Sequence, residues 1–181
     1  TPLAEAVQDY TYSFRALHAF ADYIVLNVSS PNTPGLRELQ SPDALSALLG
    51  AIANENAAGK PIVVKIAPDL SSAELEATLA VCESSGVAGV IATNTTLDHS
   101  SIPGAQDQQG GLSGAPLREK STEFVRQIAG RSTIPVIASG GIMDGNSARE
   151  KIAAGAHLVQ IYTGLIYRGP GLLREIADAI A

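Results

Sequence analysis

The stretch TIPVIASGGIMDGNSAREKIAAGAHLVQIYTGLIYRGPG, Thr133 to Gly171, contains one full structural unit and the beginning of another. An apolar run, Ile134 to Ala138, ends in Ser139, Gly140 and Gly141. Helical spacing follows from Gly145 to Ala154, and a second apolar run, Leu158 to Tyr162, ends in Thr163 and Gly164. Strand, crossover helix, strand is the order of a parallel α/β fold, because parallel strands cannot be joined by a tight turn. The glycine pair has a chemical reading as well. Backbone N–H groups approach an anion closely only where no side chain intervenes, so Gly140-Gly141 with the Tyr162-Thr163-Gly164 turn suggests a phosphate cradle.

The same unit recurs upstream. Tyr23 to Val28, Pro61 to Ile66 and Gly89 to Ala92 are short, continuous apolar runs, as expected of strands buried on both faces. Helical stretches alternate with them. Thr1-Pro2 reads as cap and first turn of a helix reaching about Phe20, and Ser41-Pro42 opens another with Leu45, Leu48, Leu49 and Ile52 on one face. Ser71 with Glu74 forms a candidate capping box, Leu117 to Ala129 gives a fourth helix, and a last one ends at Ala181.

Every strand ends on its C-terminal side in residues unsuited to a core. These are Asn27, Ser29, Ser30 and Asn32; Lys65; Thr93 to Thr96; Ser139 to Gly141; and Tyr162 to Gly164. In a closed barrel such ends converge on one mouth, whereas a doubly wound sheet converges only at its switch point. The reading is therefore a (β/α)8 barrel. Five strands are present where such a barrel has eight, so three are expected upstream of Thr1, and residues 1–181 form part of a single domain.

Composition bounds the function. The net charge of −6 argues against a nucleic-acid groove, which needs a basic stripe. The single cysteine, Cys82, excludes an internal disulfide and a cysteine zinc site, and its apolar neighbours make it a packed helical residue. His18, His99 and His157 have no metal-ligand spacing, and no apolar run approaches the ~20 residues of a membrane span.

Four segments carry candidate chemistry. Lys65 interrupts PIVVKIAPDL (Pro61–Leu70), and a buried ammonium is costly unless an anion compensates it. NVSSPNTPGL (Asn27–Leu36) concentrates amides and hydroxyls that suit an imide or amide ring edge; no G-x-S-x-G elbow surrounds its serines, which disfavours an esterase. ATNTTLD (Ala92–Asp98) offers the same groups again. GGLSGAPL (Gly110–Leu117) suits a loop folding over a ligand before a helix.

Together ADYIVLNVSSPNTPGLRELQ, VVKIAPDL, GVIATNTTLD, GGLSGAPL, IPVIASGGI and AAGAHLVQIYTG resemble, in order and spacing, the class 2, quinone-linked dihydroorotate dehydrogenases. The resemblance implies oxidation of (S)-dihydroorotate to orotate in pyrimidine synthesis, with FMN taking the hydride and a membrane quinone accepting the electrons. It makes Ser30 the base for the carbon-5 proton and Thr33 a relay. Asn27, Asn32, Asn94 and Thr95 are implied as substrate contacts. Asn27, Lys65, Thr93, Gly114, Gly141, Tyr162 and Thr163 are implied as FMN contacts, the last three around its phosphate. Class 1 relatives and dihydropyrimidine-dehydrogenase-like barrels are similar but carry cysteine at the position of Ser30. A flavin-dependent tRNA dihydrouridine synthase is disfavoured by the acidic balance. A non-catalytic ligand-binding fragment is the reading from another class. The family's membrane-docking segment, which implies peripheral attachment at the cytoplasmic face of a bacterial membrane, is expected before Thr1. The 181 residues alone are accordingly expected to lack turnover.

Overall fold

The computed structural model describes residues 1–104 and 108–181. Five strands, β1 (Ile24–Asn27), β2 (Ile62–Ile66), β3 (Gly89–Ala92), β4 (Val136–Ser139) and β5 (Leu158–Gln160), form one parallel sheet. Helices α1 (Ala6–Leu17), α2 (Pro42–Glu55), α3 (Ser72–Ser84), α4 (Arg118–Ala129), α5 (Gly145–Ala153), α6 (Thr163–Arg168) and α7 (Gly171–Ile180) accompany it. The sheet order is β1-β2-β3-β4-β5 with no reversal. A doubly wound sheet reverses its order at a switch point, so this is the wall of a barrel. β1 and β5 each pair on one side only.

The core lies between sheet and helices. Leu45, Leu48, Leu49 and Ile52 are all buried on α2, the face expected from their spacing. β3 is buried at every residue, as a two-sided parallel strand should be. The outer strands are not: Val25 and Leu158 are exposed. Cys82 is fully buried in α3, and burial pushes its thiol up to about 12.

Local signals set several boundaries. Ser71 caps α3 with Glu74 closing the box, both bonds being present. Asp144 and Ser147 make a second box at the start of α5. The first helix departs from its expected form. Among the described residues no side chain caps its start, and 3-10 turns at Leu3–Glu5 and His18–Phe20 flank a shorter α-helix. The strand expected to reach Tyr162 stops at Gln160, and a six-residue helix, α6, begins at once. Among the described residues no helix is long and apolar enough to cross a membrane.

Candidate functional site

The strand ends gather around a cleft of about 280 Å³. β2 contributes Lys65, and the loop after β3 contributes Thr93, Asn94 and Thr95. Ser113 and Gly114 come from the approach to α4, Gly140 and Gly141 from the turn after β4, and Tyr162, Thr163 and Gly164 from the start of α6. Eight residues singled out in the sequence thus share one cavity: Lys65, Thr93, Asn94, Thr95, Gly114, Gly141, Tyr162 and Thr163. Tyr162 stands at its rim, 79% exposed.

The glycine pair is required for more than access. Gly141 has φ +71°, and a Cβ there would lie 2.3 Å from the Arg118 Cα and 2.5 Å from its N. Only glycine lets the first turn of α4 sit this close to the turn after β4. The Gly141 N–H meets no acceptor among the described residues, and it borders the cleft.

Two further polar groups lack partners. Lys65 is half-buried, and burial lowers its ammonium pKa. Among the described residues no carboxylate pairs with it. The Thr95 hydroxyl is buried without a hydrogen-bond partner, the one such side-chain atom found among the described residues. It sits against Gly111, where a Cβ would lie 1.9 Å from it, so it is packed beneath the loop and not presented to the cleft.

The amides beside the cleft are, by contrast, locked. Asn94 Nδ2 donates to Asn27 Oδ1 at 3.1 Å and to Ser29 Oγ at 3.0 Å, and Ser29 Oγ donates to Asn27 Oδ1 at 3.2 Å. The Thr95 amide donates to Asn94 Oδ1 at 2.8 Å. Asn27 therefore joins the cleft through Asn94. It also lines a second groove of about 450 Å³ beside the free side of β1, with Ser30, Thr33 and Tyr10. Ser30 Oγ accepts from the Asn32 amide at 3.3 Å. Asn32 itself lies in a third depression with Pro31, His99 and Gly110. The residues read as base and relay, Ser30 and Thr33, and two read as substrate contacts, Asn27 and Asn32, are thus adjacent to the cleft lining and not part of it.

Sequence reading missed the hub that holds these loops together. Asp69, after β2, accepts from Lys120 Nζ at 2.5 Å, Thr96 Oγ1 at 2.5 Å, the Leu97 amide at 3.0 Å and Arg37 Nη1 at 2.8 Å. Burial raises the Asp69 pKa, but these bonds outweigh it and hold the carboxyl at about 2. Arg37 also donates to the carbonyls of Ser29 at 3.1 Å and Thr95 at 2.9 Å. Asp69 stands inside a quoted motif, yet nothing local pairs it with Arg37.

Lys151 was missed too. It is fully buried on α5, and burial pushes its ammonium down to about 8. Its signal was positional: it shares a helical face with the buried Ala148 and Ala154.

Comparison with known proteins adds the lineage. Residues 3–181 match the family described as dihydroorotate dehydrogenase. Proteins named dihydroorotate dehydrogenase (quinone) from Gloeobacter violaceus and Pseudomonas syringae pv. syringae are each 50% identical across the whole chain. The chain covers 52% and 56% of them, so it spans about half the length of these relatives. A crystal structure of the Eimeria tenella enzyme in complex with ferulenol superposes with a TM-score of 0.89 at 37% identity, covering 97% of this chain and 53% of that one.

Proposed function

Since the chain belongs to the dihydroorotate dehydrogenase family, we propose that it is the C-terminal part of an FMN-dependent, eight-stranded barrel enzyme that oxidises (S)-dihydroorotate to orotate in pyrimidine synthesis, with a quinone as final acceptor. The observation that carries this reading is the cleft at the strand ends, with its unpaired donors. FMN demands a close backbone approach for its phosphate and a cation for the electron-rich edge of its ring. The Gly141 N–H and the Lys65 ammonium lack protein partners among the described residues, so the residues present fit the group.

On this reading Gly141, Tyr162 and Thr163 hold the phosphate, while Lys65, Thr93, Gly114 and Asn27 hold the rest of the cofactor. When bound, FMN supplies the acceptor for the hydride leaving substrate carbon 6. Asn27, Asn32, Asn94 and Thr95 bind the substrate ring and its carboxylate through amide and hydroxyl groups that both donate and accept. The Asn27–Ser29–Asn94 bonds fix two of those amides before substrate arrives, which lowers the entropic cost of orientation. Ser30 Oγ takes the carbon-5 proton. A serine hydroxyl is a weak base and needs an exit for that proton, and Thr33 borders the same groove.

Quinone use gives the whole protein a reason to dock peripherally on the cytoplasmic face of a membrane, through residues outside these 181. The 181 residues taken alone are proposed to lack turnover, since β1 and β5 each present an unpaired edge where the barrel wall would continue.

The test is the visible spectrum of the full-length protein under anaerobic conditions. A yellow protein that bleaches with dihydroorotate supports the assignment, and Ser30→Ala should stay yellow while bleaching at least ~100-fold more slowly, the usual loss with a general base. A colourless protein, or one indifferent to dihydroorotate, overturns it.

A further inference from the structure

Lys151 stands under the turn read above as the phosphate cradle, and nothing in the proposed chemistry uses it. Its ammonium is fully buried and donates to three oxygens, all within the first five residues of α4: Arg118 O at 3.0 Å, Ser121 Oγ at 2.5 Å and Thr122 Oγ1 at 2.7 Å. Its three N–H bonds are thus all used. Neighbouring Glu150 is exposed and pairs with Arg118, and among the described residues no carboxylate pairs with Lys151. A cation beneath the start of a helix opposes the helix dipole and costs stability there.

The Ser121 hydroxyl, accepting from Lys151, has one proton to donate; the Gly140 carbonyl at 2.8 Å is the nearer acceptor, while Arg118 O lies at 3.1 Å and already accepts from Lys151 and Thr122. That carbonyl belongs to the same peptide unit as the Gly141 N–H. The unit is trans and planar, so its C=O and N–H point in opposite directions. Holding the oxygen down onto α4 turns the N–H away from the helix, toward the cleft that Gly140 and Gly141 line. Both glycines have positive φ, a region in which the peptide plane would otherwise rotate with little steric restraint.

We propose that Lys151 is a positioning residue which, through Ser121, fixes the Gly140–Gly141 peptide so that the Gly141 N–H donates to the phosphate of the bound nucleotide. This rests on the FMN reading given above. The partner is a phosphate monoester rather than the flavin ring, and that separates a positioning role from a merely structural one. Riboflavin has the same ring and no phosphate.

The experiment uses the full-length protein, stripped of flavin and titrated separately with FMN and with riboflavin by fluorescence quenching. Ser121→Ala and Lys151→Met are compared with wild type. Either variant should bind FMN about tenfold or more weakly, as when one hydrogen bond to a charged group is misdirected, and riboflavin within about twofold of wild type. Equal weakening toward both ligands, or no weakening toward FMN, overturns the inference. Should Lys151→Met fail to fold, Ser121→Ala, which keeps the lysine, decides alone. A wild-type protein that binds neither flavin overturns the FMN reading and this inference with it. FMN-binding wild type beside equally FMN-binding variants overturns the inference only.

Discussion

Lys151 allows a stability prediction that is independent of any ligand. In the folded chain its ammonium is lowered from 10.5 to about 8 by burial. Between those values the unfolded chain still binds a proton that the folded chain has released, so stability rises with pH across that window. The cost of the buried charge is absent above 10.5 and complete below about 8. A shift of about 2.5 units corresponds to about 3 kcal/mol for a buried side chain. The perturbation is Lys151→Met, which has a similar length and no charge. The assay is urea unfolding of wild type and variant at about pH 7.5, 9 and 10.5, compared as differences so that all other titrations cancel. Met also removes the bonds to Arg118 O, Ser121 and Thr122; referred to the neutral amine this is a constant offset, and protonation enters only through the pKa shift, so the slope alone is diagnostic. Wild type should gain about 3 kcal/mol relative to the variant across the window. A difference that stays constant with pH would refute the reasoning.

The other predictions concern the hub, the cradle and the core. Asp69→Asn should cost about 1–2 kcal/mol at neutral pH after allowance for partial solvent screening. Because the folded Asp69 pKa is depressed, urea midpoints of wild type and variant should converge as pH falls from about 4 toward 2. Gly141→Ala combines a left-handed backbone with a Cβ placed against the Arg118 backbone, so FMN should no longer co-purify and stability should fall by about 2–4 kcal/mol. Leu48→Ala, in the centre of the core, should cost about 2–5 kcal/mol in urea unfolding and leave the flavin spectrum of the folded protein unchanged.

Features whose partners lie within a few residues were legible in the sequence. Ser71 and Glu74 are one helical turn apart, so their capping box could be read directly. Leu45, Leu48, Leu49 and Ile52 announce a helix face by spacing alone. Lys65 stood out because an ammonium in an apolar strand has few structural reasons to be there, and it does line the cleft. Features made by the tertiary fold were not legible. Arg37 and Asp69 are 32 residues apart and meet only because β1 and β2 are neighbours in the sheet. Lys151 needs both its helix face and the position of α4 before its role emerges. Gly141 was read as leaving room for an anion. The stronger constraint is the start of α4, which no local pattern places next to it.

The unsatisfied and costly groups are not scattered. Among the described residues the Lys65 ammonium without a carboxylate and the free Gly141 N–H both line one cleft, and the unpaired Thr95 hydroxyl belongs to a residue of the same lining. Lys151, the fully buried cation, sits directly beneath it. Away from the cleft the buried polar side chains of the described residues are paired, and the Asp69 hub and the two capping boxes are paired too. A fold selected for stability alone would neutralise such groups, so their concentration at one mouth indicates where binding has been favoured over stability. The hub then explains how the serine loop shares in that site without lining it. Arg37 grips the Ser29 carbonyl and the Thr95 carbonyl at once, and Asn94 grips the Ser29 hydroxyl. Ser30 is therefore carried on a loop whose position is set by the same residues that shape the cleft.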